Sequence, residues 1–67
     1  MNNEWIKIYT SNQFFKAELV KQVLIDHEIE AVIMNKQDSA YKFGYVEVHV
    51  NESNSQKALA IITENDL

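Results

Sequence analysis

Tyr45-Val46-Glu47-Val48-His49-Val50 decides the fold. Three valines alternate with an aromatic, an acid and a histidine. A period of two over six β-favouring residues predicts a strand with one apolar face and one mixed face. Gly44 just before it suits a turn or bulge. Upstream, Ile29-Glu30-Ala31-Val32-Ile33-Met34-Asn35 reads as another strand, with Ile29, Ala31 and Ile33 on one face and Val32 and Met34 on the other.

Between Gln13 and about Glu28 the period lengthens. Ala17, Val20, Val23 and Leu24 share one side of a helix at 100° per residue. Thr10 with Gln13 fits a capping box at its start, although Ser11 or Asn12 could cap instead. Before that helix, Trp5-Ile6-Lys7-Ile8-Tyr9-Thr10 alternates as a strand, Ile6 and Ile8 against Trp5, Lys7 and Tyr9. After the third strand, Ser53 with Gln56 makes a second capping box. Ala58, Ile61 and Ile62 then stripe a helix running to about Glu64.

The order is β-α-β-β-α. A right-handed crossover sets the first two strands parallel, with room for the third between them and antiparallel to both. The fold class is α+β: the split β-α-β of a ferredoxin-like fold, strand order 1-3-2, two helices on one face and the fourth strand missing. The expected core is Ile6, Ile8, Ala17, Val20, Leu24, Ile29, Ala31, Ile33, Val46, Val48, Val50, Ala58, Ile61 and Ile62.

Length and composition bound the function. The chain has 67 residues, one domain's worth, and 46% of them are hydrophobic, so it should fold. A net charge of −4 argues against a nucleic-acid binder or a polybasic membrane patch, both of which need clustered cations. Cysteine is absent, which removes disulfides, thiolate metal sites and cysteine nucleophiles and points to a reducing cytoplasm. Met1-Asn2-Asn3-Glu4-Trp5 has neither the basic nor the apolar region of a signal peptide. The longest apolar run, Ala31-Val32-Ile33-Met34, is far too short to span a membrane.

No catalytic, metal or cofactor constellation emerges. His49 and Glu47 supply at most two ligands, and metal sites need three or four. His27 falls in the last turn of the first helix, where a cation suits the dipole. Ser53 is taken by its cap, and Ser39 lacks the context of a nucleophile.

The pattern of Trp5 to Thr10, Ala17…Val20…Leu24, Ile29-x-Ala31-x-Ile33-x-Asn35, Val46-x-Val48-x-Val50 and Ala58…Ile61 resembles a small bacterial family of unknown function, described as prokaryotic signal transducing proteins. Asn35-Lys36-Gln37-Asp38-Ser39-Ala40-Tyr41 resembles one branch of it closely. The resemblance covers nearly the whole chain and implies a ferredoxin-like fold distantly similar to the PII signalling proteins. It brings no catalytic residues. Members often carry Gly where Glu28 stands, so either Glu28 takes a left-handed conformation at some strain or the helix ends differently. PII proteins bind nucleotide with a long loop. Here the corresponding loop runs only from Lys36 to Gly44 and lacks a basic, glycine-rich phosphate cradle.

Two surfaces remain. Trp5, Lys7, Tyr9, Val32, Met34, Tyr45, Glu47 and His49 are expected on the sheet face that no helix covers, a set rich in interface residue types. The alternative is that these aromatics only stiffen the sheet by cross-strand pairing. The loop between the second and third strands adds Lys36, Gln37, Asp38, Ser39, Tyr41 and Phe43, which either serve recognition or fold back over the open end of the core. With no fourth strand the first strand has a bare edge, and a core this small gains from association, so a homo-oligomer, with a dimer favoured, is expected; the alternative is a well-packed monomer whose tail covers the edge. The sequence therefore reads as a non-enzymatic, cytoplasmic regulatory module that binds a protein partner through the outer face and this loop. The alternative is a small-metabolite sensor with its site at a homo-oligomer interface.

Overall fold

The computed structural model describes residues 4–36 and 44–67. The expected layout is present: β1 (Trp5–Ser11), α1 (Phe14–Asp26), β2 (Ala31–Asn35), β3 (Val46–Asn51), a single 3-10 turn (Glu52–Asn54) and α2 (Ser55–Glu64). The three strands form an antiparallel sheet in the order β1-β3-β2. β3 is central, and its valine parity faces both helices. Val46, Val48 and Val50 are fully buried, packed in one core with Ala17, Val20 and Leu24 of α1 and Ala58 and Ile61 of α2. Ile29 and Ala31 close the core, and Ile8, Ile33 and Ile62 pack against it half-buried. Ile6, expected in the core, is half-buried on the edge strand and lies outside that cluster.

The largest departure from the sequence reading lies in β1. Lys7 pairs with His49, but Tyr9 pairs with Val48, so Ile8 is an extra residue in the β1 ladder. Such a bulge shifts side-chain parity by one. Ile6 faces Val50 on the core side and Lys7 faces His49 on the outer side. Beyond the bulge, Tyr9 turns to the core side and Thr10, opposite Glu47, takes the outer one. The expectation that Tyr9 belongs to the outer face is therefore corrected: it packs against the core.

Helix starts also differ. Thr10 lies within β1, too early to cap a helix that begins at Phe14. Instead Ser11 Oγ accepts the Gln13 N–H at 3.0 Å, and Gln13 occupies the N-cap position without a side-chain cap bond. Ser53 does not cap α2. The Asn51 carboxamide oxygen accepts both the Ser53 N–H at 3.1 Å and its hydroxyl at 2.9 Å. That capture winds Glu52–Asn54 into a 3-10 turn and delays α2 to Ser55.

Both helices end alike. After α1, Glu28 holds φ 64°, its N–H bonds to the Ile25 carbonyl at 2.9 Å, and the Ile29 N–H bonds to the Leu24 carbonyl at 2.9 Å. This is a Schellman motif closed by the apolar pair Leu24 and Ile29. After α2, Asp66 holds φ 55°, with Asp66 N–H to Thr63 O at 3.2 Å and Leu67 N–H to Ile62 O at 3.1 Å. Of the two alternatives at Glu28, the left-handed one is realised, and Asp66 repeats it.

Candidate functional site

The outer face of the sheet is built in rows by the ladder register. Trp5 stands opposite Asn51; Lys7, His49 and Val32 form the next row; Thr10, Glu47 and Met34 form the third. At the hairpin end the Lys36 N–H donates to the Tyr45 carbonyl at 2.9 Å, which holds Tyr45 beside the last row. Thus Trp5, Lys7, Val32, Met34, Tyr45, Glu47 and His49 come together as the sequence predicts, with Thr10 in the place expected for Tyr9. Trp5, Met34 and Tyr45 are 43%, 40% and 60% exposed, large apolar groups on a face without a helix. Lys36 is exposed at its edge. Gln37, Asp38, Ser39, Tyr41 and Phe43 lie outside the described residues, so the loop reading has only Lys36 within them.

At the centre of the face, His49 Nε2 lies 3.0 Å from Glu47 Oε1. Residues two apart on one strand share a face, which is why β3 itself supplies the pair. The bond from His49 holds the Glu47 carboxyl below its ordinary value, and Lys7 and Lys36 act in the same direction against partial burial. An ionised carboxylate only accepts, so Nε2 carries the proton and donates. In the neutral ring Nδ1 is then a bare acceptor. Nδ1 is buried and has no hydrogen-bond partner among the described residues. Buried polar atoms are nearly always paired, so this one calls for explanation.

The other histidine is accounted for. His27 caps α1, and its Nδ1 donates to the Val23 carbonyl at 2.8 Å. Among the described residues no three His, Asp or Glu groups converge on a metal-sized site. No described helix is long and apolar enough to cross a membrane.

A second surface escapes sequence reasoning. A cleft of about 250 Å³ on the helix-bearing side is lined by Tyr9, Phe15, Lys16, Leu19, Val20, Asp66 and Leu67. Its signal was present in α1, which carries Phe14, Phe15, Leu19 and Ile25 outside its core stripe, all exposed. A helix apolar on more than its core side has a second surface to satisfy.

Compared with known proteins, the chain matches the family described as "Putative prokaryotic signal transducing protein" over residues 5–66. It belongs to that family, whose description names signal transduction and no reaction. No curated protein and no solved structure matches it.

Proposed function

We propose that the chain is a non-enzymatic interaction module of prokaryotic signalling that works in the cytoplasm and binds protein through the outer face of its sheet. The observation that carries this reading is the exposed Trp5, Met34 and Tyr45 gathered around the Glu47–His49 pair on a sheet face without a helix. Aromatic and methionine side chains supply contact area at interfaces, and a polar pair among them fixes orientation. Lys36 and Tyr45 extend the surface toward the connecting loop.

The occupant this reading commits to is a second copy of the chain. β1 is an edge strand with β3 on one side and no strand on the other among the described residues. Edge strands are commonly paired or covered. Disulfides are unavailable for want of cysteine, and association is the remaining common way to stabilise a core this small.

Sedimentation of the full chain over a hundredfold range of about 5–500 μM tests it, that range spanning weak to moderate dimers. The mass is expected to rise toward twice that of the chain. The emission of Trp5, the sole tryptophan, should shift to the blue in parallel. The triple variant Trp5→Ser, Met34→Ser, Tyr45→Ser should stay monomeric while keeping its circular dichroism. A concentration-independent monomer with unshifted Trp5 emission overturns the dimer.

A further inference from the structure

The cleft on the helix-bearing side joins the two helix ends of opposite polarity. Phe15 and Lys16 belong to the first turn of α1, and Asp66 and Leu67 follow the last turn of α2. A helix N-terminus carries partial positive charge and a C-terminus partial negative charge. Lys16 adds a full positive charge at the first end and Asp66 a full negative charge at the second. The first turn of α1 contains no acid to neutralise its end, and the last turn of α2 contains no base. Lys16 and Asp66 form no ion pair with each other or with any other described residue. Two opposite charges therefore line one cleft without neutralising one another.

The walls between them are the Tyr9 ring, Phe15, Leu19, Val20 and Leu67. Phe15 is 65% and Leu19 52% exposed, so apolar surface stays open to solvent there. The volume of about 250 Å³ lies just under the roughly 300–1,000 Å³ typical of drug-sized ligand sites. Nucleotides are poorly served: the cleft has one cation and no glycine-rich phosphate cradle.

We propose that this cleft binds a free α-amino acid with a large apolar side chain. Its carboxylate lies toward Lys16 and the start of α1, its ammonium toward Asp66 and the end of α2, and its side chain against Phe15, Leu19 and Leu67. A zwitterion matches both charges at once, whereas a simple acid or amine leaves one of them unanswered. The left-handed turn at Asp66 and the bulge at Ile8 set the two rims, since they place Asp66 and turn Tyr9 to this side. The site is separate from the outer face and stands whether or not that face binds a second copy.

Titration of the labelled full chain with L-phenylalanine and L-leucine, followed by amide chemical shifts, tests it. Shifts are expected at Tyr9, Phe15, Leu19, Asp66 and Leu67, with a Kd on the order of 1 mM or tighter. The controls 3-phenylpropanoate and phenethylamine, each lacking one charge, should bind at least about tenfold more weakly. Lys16→Met and Asp66→Asn should each weaken L-phenylalanine by a similar factor; asparagine tolerates the left-handed backbone, so the second variant keeps the turn. No shifts at these amides up to about 10 mM of either amino acid overturns the proposal. Equal binding of a singly charged analogue overturns the zwitterion assignment, a result read on the unsubstituted chain and so independent of any variant's folding.

Discussion

The Ile29 N–H reaches back 2.9 Å to the Leu24 carbonyl, and Glu28 between them pays for that reach with φ 64°. A side chain with a Cβ costs about 1–2 kcal/mol in the left-handed region, while glycine adds back some unfolded-state entropy. Glu28→Gly should therefore stabilise the fold by about 0.5–1 kcal/mol, raising Tm by about 4–8 °C per kcal/mol in a domain this size. Urea unfolding should show a higher midpoint at an unchanged slope.

Leu24 is both the apolar partner in that motif and a fully buried core residue. Leu24→Ala should cost about 2–5 kcal/mol. Cores of this length rarely supply more than about 3–5 kcal/mol in all. The variant should lose its cooperative thermal transition and its amide dispersion; a sharp transition near the parent midpoint would show that the site collapses without a cavity.

Tyr9 and Trp5 separate the bulged register from a regular one. Tyr9 packs on the core, whereas Trp5 is 43% exposed on the outer face. At concentrations where the chain is monomeric, Tyr9→Ala should cost about 2–3 kcal/mol and Trp5→Ala less than about 1 kcal/mol, since truncating buried aromatics is the more damaging change. Equal costs by denaturant titration would restore Tyr9 to the outer face.

Glu47 gives the acid limb of stability. Its folded-state pKa is lowered, chiefly by the His49 hydrogen bond. A depressed carboxylate contributes stability that is fully present above its unfolded value and is lost as pH falls through the folded one. The loss therefore begins near the ordinary 4.5 and continues below it. Glu47→Gln should flatten the fall of the urea midpoint over that interval and leave its shape at neutral pH unchanged. An identical acid limb in both proteins would mean that the pair contributes nothing to stability.

Much of this was legible in the chain because the strongest patterns coincide with the most constrained positions. Val46, Val48 and Val50 alternate in sequence and all three are fully buried, since a central strand admits no slip without exposing every valine. Glu28 was visible as a strained helix end through the family resemblance alone, whose members often carry Gly there; the turn it makes brings Ile29 into the core. The bulge was not legible. Trp5 to Thr10 alternates as well with Ile8 inserted as without it, and no glycine marks the spot. The outer face consequently survived apart from Tyr9. The cleft was hidden because it joins residues from β1, α1 and the turn after α2, far apart in the chain. The caps failed on competition: Asn51, at the end of β3, reaches the Ser53 N–H before Ser53 can act as a cap itself.

The extra residue at Ile8 also bears on how relatives of this chain are compared. Removing Ile8 would leave Lys7 opposite His49 and Tyr9 opposite Val48, so a strand one residue shorter keeps the ring on the cleft side with no bulge at all. Two family members that both keep the tyrosine but differ by that one residue would display it on the same surface, whereas a member of equal length with a regular strand would pair Ile8 with Val48 and carry the tyrosine to the row of Glu47 and Met34. Pairing at this point, more than length or identity, decides which of the two surfaces owns the aromatic group, so a tyrosine aligned without a gap can still belong to either surface.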